Sequence, residues 1–384
     1  MRITGKTVTT TTLGESVRAF VPHPLPPAKP PLASESFVAL NHDAELALAR
    51  LSGVSGLVPS VDWLLYGALR KEALLTSQIE GTQATLTDLF DEEAGFAIGN
   101  TDDVAEVSNY LRAFRLVREN LHDPAGLPIS VRLLCDAHRL LLDGARGAGK
   151  QPGELRRSQN WVGGTRPGNA AFVPPPPERV PTLLADLERF IHETEPTRAR
   201  LPPLVRVALV HVQFETIHPF LDGNGRIGRL LIAALMEHWG QLPEPLMYVS
   251  GYLKRHQAEY YRRLSAVRDG GDWEGWLAFF LEGVEAAATE AERSIVSIAS
   301  LIAADRRKLL TAPKVGAVSM RLFESLPMMP RFTIEQVRQR LQTTFPTATA
   351  AVKMLEGLGI VAELTGQKKN RSFSYQGYVD LLTE

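Results

Sequence analysis

The chain has 384 residues, with 42 Lys+Arg against 43 Asp+Glu and a formal net charge of −1 at pH 7. Hydrophobic residues at 44% and charged residues at 22% exclude wholesale disorder and fit two or three globular domains. The balanced charge gives no global pull towards nucleic acid or membrane, and the single cysteine, Cys135, excludes a disulfide framework or a cysteine zinc cage. In chain order, the first sixteen residues, MRITGKTVTTTTLGES, are polar where a signal peptide needs an apolar core, so a soluble cytoplasmic protein is expected. Pro22 to Pro31 should be extended and lie over the surface, because proline fixes φ and lacks a donor. Helical periodicity then takes over. Leu64, Leu65, Ala68, Leu69, Leu75 and Ile79 recur at steps of three and four, and further helices are predicted over 105–118, 131–142, 180–193, 204–216, 226–239, 257–267 and from 275 towards 310. Trp161 to Pro177, rich in Gly-Gly and Pro-Gly turn signals, reads as a β-hairpin or flap.

From about Lys314 the pattern changes. Short helices are predicted over 319–326, after an N-cap at Thr333, and over 348–358 after a cap at Thr347. Two short strands, 360–364 and 371–375, flank the turn Thr365 to Asn370, which completes a helix-turn-helix layout with a wing. Residues 331–371 hold seven Lys/Arg (331, 338, 340, 353, 368, 369, 371) and three Glu (335, 356, 363), a net of +4. The expected division is therefore an N-terminal segment (1–110), a helical body (111–312) and a C-terminal winged-helix domain (313–384).

Two glycine-rich stretches fail as nucleotide fingerprints. Gly144 to Gln151 lacks the Ser/Thr of a P-loop and follows a helix rather than a strand. Gly223 to Gly228 matches the dinucleotide pattern by letter, but LVRVALVHVQFETIHPF before it is helical, so no βαβ unit exists. Those glycines belong to a longer constellation, His218-Pro-Phe-Leu-Asp222-Gly223-Asn224-Gly225-Arg226-Ile-Gly228-Arg229. Glycines let a ligand approach the backbone, and free N–H groups at a helix start favour anions. Arg226 and Arg229 are three apart and share a helix face, where guanidinium groups suit phosphate oxygens. Asp222 offers a hard oxygen suited to Mg²⁺, and His218 a base near neutral pH. This is a phosphoryl-transfer site in composition. Trp273, Trp276, Phe279 and Phe280 read as core, and His211 as a packed residue.

HPFLDGNGRIGR, His218 to Arg229, resembles the signature of Fic-domain enzymes, HxFx(D/E)GNGRxxR, with every defined position matched. RRSQNWVGG (156–164), AFVPPPP (171–177) and GDWEGWLAFFLEGV (271–284) extend the likeness over most of residues 40–310. The resemblance implies a mainly α fold, a Fic-type helical bundle with a β-hairpin flap. It also implies AMP transfer from ATP to a Ser, Thr or Tyr hydroxyl of a protein target or of the enzyme itself. In that scheme His218 is the base, Asp222 holds Mg²⁺, and Gly223, Asn224 and Gly225 form the anion hole. Gly228 lies in the nucleotide-binding stretch, Arg226 and Arg229 steady the β- and γ-phosphates, and Tyr260 lines the nucleobase pocket. Thr76-Ser-Gln-Ile-Glu80-Gly81 resembles the family's inhibitory motif (S/T)xxxE(G/N), which implies that Glu80 pairs with Arg229 and blocks the γ-phosphate. Two alternatives stay open: a nucleotide-sensing winged-helix regulator binding DNA through residues 314–384, and an enzyme using Glu80 to remove AMP. Protein docking by the winged helix and homodimerisation are open as well.

Overall fold

In the computed structural model, which describes residues 2–144, 147, 149–193, 201–367 and 371–383, the chain opens with a β-hairpin. Strands β1 (Gly5–Thr12) and β2 (Glu15–Pro22) pair antiparallel, from Gly5 opposite Pro22 to Thr12 opposite Glu15. Leu13 and Gly14 turn between them with φ of 50° and 80°, as the twist of a two-residue hairpin loop requires. This element was not anticipated, because a run of threonines hides the period of two in β1. The alternation is visible only in β2, where Val17, Ala19 and Val21 are buried. The proline stretch beyond Pro22 lies mostly at the surface, as expected, with Leu25 buried, but it bends and turns rather than running extended. Arg2 ties the N-terminus down, donating to Glu274 at 2.8 Å and to the carbonyls of Pro30 and Pro31 at 2.8 Å.

The body is helical: α1 (Val38–Val54), α2 (Val61–Ile79), α3 (Leu86–Glu93), α4 (Thr101–His122), α5 (Val131–Leu141), α6 (Val180–His192), α7 (Pro203–Ile217), α8 (Asn224–His238), α9 (Val249–Arg255), α10 (Gln257–Gly270) and α11 (Trp273–Thr311). Of these, α1, α3 and α9 were not anticipated; α3 and α9 make only about two turns each, too short for periodicity to register. Side-chain caps mark several starts: Ser60 accepts from Asp62 N, Thr85 forms a capping box with Asp88, and Asp272 accepts from Gly275 N. Apart from Arg206, every residue of α7 from Leu204 to Ile217 is buried, so this helix runs through the centre and the signature loop is anchored at its end. Trp276 on α11 is fully buried and its indole N–H donates to the Ala208 carbonyl of α7 at 3.0 Å. The boundary drawn at residue 110 falls inside α4, and one hydrophobic core runs from Val21 to Leu382.

Two expectations need correction. The flap, Trp161 to Pro177, is not a regular hairpin: a single bridge joins Val162 to Phe172 around a short turn at Pro167–Asn169. Prolines at 167 and 174–177 remove ladder donors, so pairing stops at one rung. Strand β2 supplies what the flap lacks, with Phe20 N donating to Val173 O at 3.0 Å and Val17, Ala19 and Val173 forming a small core of their own. The second correction lies in the C-terminal module, which comprises α12 (Ala317–Ser325), β3 (Arg331–Thr333), α13 (Ile334–Arg340), α14 (Phe345–Gly357), β4 (Ala362–Glu363), β5 (Ser372–Ser374) and α15 (Gln376–Thr383). Thr344, not Thr347, caps α14: its side chain accepts from Thr347 N, and Pro346 is accommodated in the first turn, where its missing N–H costs nothing. The three strands form one antiparallel sheet in the order β3-β5-β4, and α15 was not foreseen. Lys368, Lys369 and Asn370 of the expected wing lie outside the described residues. Among those described, no helix is long and apolar enough to cross a membrane.

Candidate active site

The chain reverses between α7 and α8, and the reversal is held by a dense set of polar contacts. His218 ends α7 at φ 51° and ψ 61°, a left-handed conformation that a non-glycine residue adopts only where its surroundings enforce it. Phe220 N donates to Asn224 Oδ1 and Asn224 Nδ2 returns to Phe220 O, both at 2.8 Å. Asn224 therefore spends its side chain on the loop, and only its backbone can face an anion. Arg156, buried, donates to the carbonyls of His218 at 2.8 Å, Pro175 at 2.6 Å and Ile217 at 3.3 Å, pinning the loop to the end of the flap. His138 stacks on Phe220 with ring centroids 3.8 Å apart, accepts from Gly153 N at 2.9 Å and donates to Asp222 O at 3.0 Å. Burial pushes the His138 pKa down to about 4, so the neutral ring keeps this one tautomer. Sequence reasoning did not single out His138, and quoted Arg156 only as part of a matching string.

Arg156→Ala strips several buried carbonyls of their donor at once. The expected cost is about 3 kcal/mol of stability, read as a lowered urea midpoint with circular dichroism. A midpoint unchanged from wild type contradicts the pinning role.

Arg229 is 1% exposed, and its Nη2 lies 2.5 Å from Glu80 Oε1. Its Nε also donates to Thr76 Oγ1 at 2.6 Å and Nη2 to Thr76 O at 3.1 Å, so both ends of the Thr76–Glu80 segment hold one guanidinium. Glu80 caps the end of α2 and rests on the first turn of α8: a Cβ built at Gly225 would lie 2.4 Å from Glu80 Oε1. Burial works against charge on Glu80, but Arg229 outweighs it, with help from Arg226, and holds the carboxyl below its usual range. Arg226 is engaged too, with Nη1 3.0 Å from Glu106 Oε2 and both side chains buried, while its Nε has no partner among the described residues. Glu106 was missed; it sits mid-helix among apolar residues and carries no motif.

Burial and the charge of Arg156 push the His218 pKa down to about 4, against the opposing pull of the Glu215 backbone. The ring is neutral, and so able to accept a proton, throughout the physiological range. Glu215 itself is raised to about 7 by burial, its Oε1 has no partner among the described residues, and a Cβ at Gly228 would come within 2.3 Å of that oxygen. Gly228 is thus required for packing against this carboxyl. Tyr260 is not at an open nucleobase pocket: it is 1% exposed, and its hydroxyl bonds His211 Nε2 at 2.8 Å. His211 also contacts the Gly228 carbonyl at 3.1 Å, making the pair a polar core behind Arg229, while the neighbouring Tyr261 is 45% exposed. Asp222 is half exposed, with Oδ1 accepting from Gly223 N at 2.6 Å and lying 3.8 Å from Arg226 Nη2. No group of three or more His, Cys, Asp or Glu that could hold a metal exists among the described residues. A single accessible carboxylate beside an anion cradle fits Mg²⁺ held jointly with phosphate oxygens.

Residues 38–119 match the Fic/DOC family N-terminal region and residues 128–236 the Fic/DOC family. The protein adenylyltransferase Fic of Drosophila melanogaster is 31% identical over 147 residues, 38% of this chain and 26% of the relative. The chain thus spans about a quarter of the length of that relative. A Fic family protein from Desulfovibrio desulfuricans superposes with a TM-score of 0.57 at 21% identity, over 90% of this chain and 97% of the other. A Fic domain-containing signaling protein from Bacteroides thetaiotaomicron superposes at 0.53 and 19% identity, over 67% and 97%. These structures share the fold. With the signature loop and the two family matches side by side in one helical bundle, the chain is a Fic-domain protein.

Proposed function

We propose that this chain is a protein adenylyltransferase, transferring AMP from ATP to a hydroxyl of a protein target, and that Glu80 holds it in an inhibited state. The observation that carries this reading is the Glu80–Arg229 pair lying across the first turn of α8, beside a neutral His218. An anion cradle already filled by the protein's own carboxylate is what an inhibited triphosphate site requires. With Glu80 withdrawn, the N–H groups at the start of α8 and the Arg229 guanidinium face the phosphates. The Arg226 Nε, buried and without a partner among the described residues, adds a further donor. His218 takes the proton of the target hydroxyl, the oxygen bonds the α-phosphorus, and the bond to the β-phosphate bridge breaks with pyrophosphate leaving. Asp222 would hold Mg²⁺, whose charge offsets that of the phosphates. The flap, braced by β2, offers backbone groups to which an extended target segment adds as a strand. Tyr260 contributes behind Arg229, through His211, rather than against the base. ATP labelled at the α-phosphate, but not at the γ-phosphate, is expected to label protein incubated with the Glu80→Gly variant. Label from the γ-position, or from neither, sinks the reading.

In this scheme the base has a pKa near 4, because burial and Arg156 depress it, and removal of the Glu80 charge lowers it further. Such a group is deprotonated, and active, at every pH well above 4. The kcat/KM of Glu80→Gly is therefore expected to stay level from pH 8 down to about 5.5. An acid limb between pH 6 and 7 contradicts the assignment.

The C-terminal module supports a winged-helix reading through its order of helix, strand, two helices and two strands. Its charge favours docking against protein over reading a duplex. Arg331 is spent on Asp91 and Arg338 on Glu335, and Lys353 is the one basic residue on α14. The full chain is expected to show no salt-sensitive binding to duplex DNA in a filter assay; binding that falls steeply with salt contradicts this.

A further inference from the structure

The C-terminal module grips the helix that carries Glu80. The Tyr378 hydroxyl of α15 donates to the Trp63 carbonyl of α2 at 3.0 Å, and Leu382 packs so closely on Gly67 that a Cβ there would lie 2.8 Å from it. At this joint lies a cavity of about 490 Å³, within the range of small-molecule sites. Tyr66 of α2 lines it with Arg70 3.3 Å over its ring and its hydroxyl on Glu93, and the buried Phe90 of α3 stacks on Tyr66 at 6.0 Å. Opposite stand Met328 and Met329, side chains that adapt to irregular apolar ligands. The charge is unbalanced. Arg70 is spent on Glu93 and Arg331 on Asp91, yet Arg331 Nε is buried with no partner among the described residues. Arg340, also lining the cavity, is exposed and is a surplus cation.

Two adaptable methionines, an unspent buried N–H and a surplus guanidinium describe one class of ligand. We propose that this cavity binds a small anion carrying an apolar group, and that the bound ligand acts on Glu80 through α2. Tyr66 and Glu80 are joined by one continuous helix, roughly 21 Å at 1.5 Å per residue, so a shift at the joint is transmitted along a stiff rod. The second half of the proposal rests on the inhibitory role of Glu80 given above; the first half does not.

The test uses the full chain, with naphthalene-2-carboxylate as probe and the uncharged naphthalene-2-carboxamide and inorganic phosphate as comparisons, followed by titration calorimetry. Saturable binding of the carboxylate is expected, at least tenfold tighter than either comparison. Arg340→Ala and the cavity-filling Met329→Trp should each weaken it at least tenfold, and neither residue belongs to the active site. Absence of saturable binding, or equal binding by both variants (an adventitious additive only), overturns the site. Phosphate binding as tightly as the carboxylate overturns the apolar half of the ligand assignment. With the site saturated, AMP labelling by wild type should change at least twofold while Glu80→Gly stays constant. Binding with no change in wild type overturns the coupling.

Discussion

Replacing Glu80 with glycine is expected to raise AMP incorporation from Mg²⁺-ATP at least tenfold. The Glu80 carboxylate bonds a guanidinium that is only 1% exposed and that also holds Thr76, so a triphosphate reaching Arg229 must first displace it. A charge-assisted hydrogen bond of this kind is worth about 1.5–3 kcal/mol, or roughly a factor of 10 to 100 in the population able to place its phosphates productively. Glycine leaves α2 intact, since position 80 already lies at the helix end and Gly81 follows at φ 102°. Glu80→Gln keeps the shape and removes the charge, and should fall between the two. Because Arg229 keeps the Glu80 pKa below its usual range, the carboxylate stays charged at every physiological pH. Mild acid should therefore not mimic the mutation, and wild-type labelling should not rise between pH 8 and 6.

The second large effect is the loss of His218. In the Glu80→Gly background, His218→Ala is expected to lower the labelling rate by roughly 10²–10⁴, the usual contribution of a positioned general base. The loop should survive the change. Arg156 grips the His218 carbonyl rather than the ring, so the main anchor is untouched. Alanine at φ 51° does carry about 1 kcal/mol of backbone strain, and His218→Asn, which tolerates the left-handed region better, separates that strain from the chemistry. Both variants should bind ATP as well as Glu80→Gly does, measured by equilibrium dialysis. Loss of ATP binding along with labelling would mean that the residue supports the cradle rather than the proton transfer.

The elements that the sequence made legible are those with redundant signals. The helix α2 combines an apolar stripe with a serine cap, and the loop from His218 to Arg229 packs base, carboxylate, glycines and two arginines into twelve residues. What stayed hidden depends on contacts between segments far apart in the chain. Glu106 reaches Arg226 across 120 positions, and His138 reaches Asp222 across 84, so neither leaves a local pattern. Tyr260 was placed at the nucleobase because spacing cannot say which ring of the 260–261 pair faces inward; in the structure Tyr260 is buried on His211 and Tyr261 is exposed. The hairpin β1–β2 escaped because threonine is neither apolar nor a turn former, and the flap was overdrawn because its prolines look like hairpin punctuation yet forbid the ladder.

In the proposed enzyme one carboxylate, Glu80, holds one arginine, Arg229, away from the nucleotide. The most direct measurement is the initial rate of AMP incorporation, side by side, by wild type, Glu80→Gly and Glu80→Gly/His218→Ala at saturating Mg²⁺-ATP. Little labelling is expected from wild type, at least about tenfold more from the single variant, and a return to background in the double variant. Equal labelling by wild type and Glu80→Gly, with the double variant inactive, would contradict the inhibitory role of Glu80.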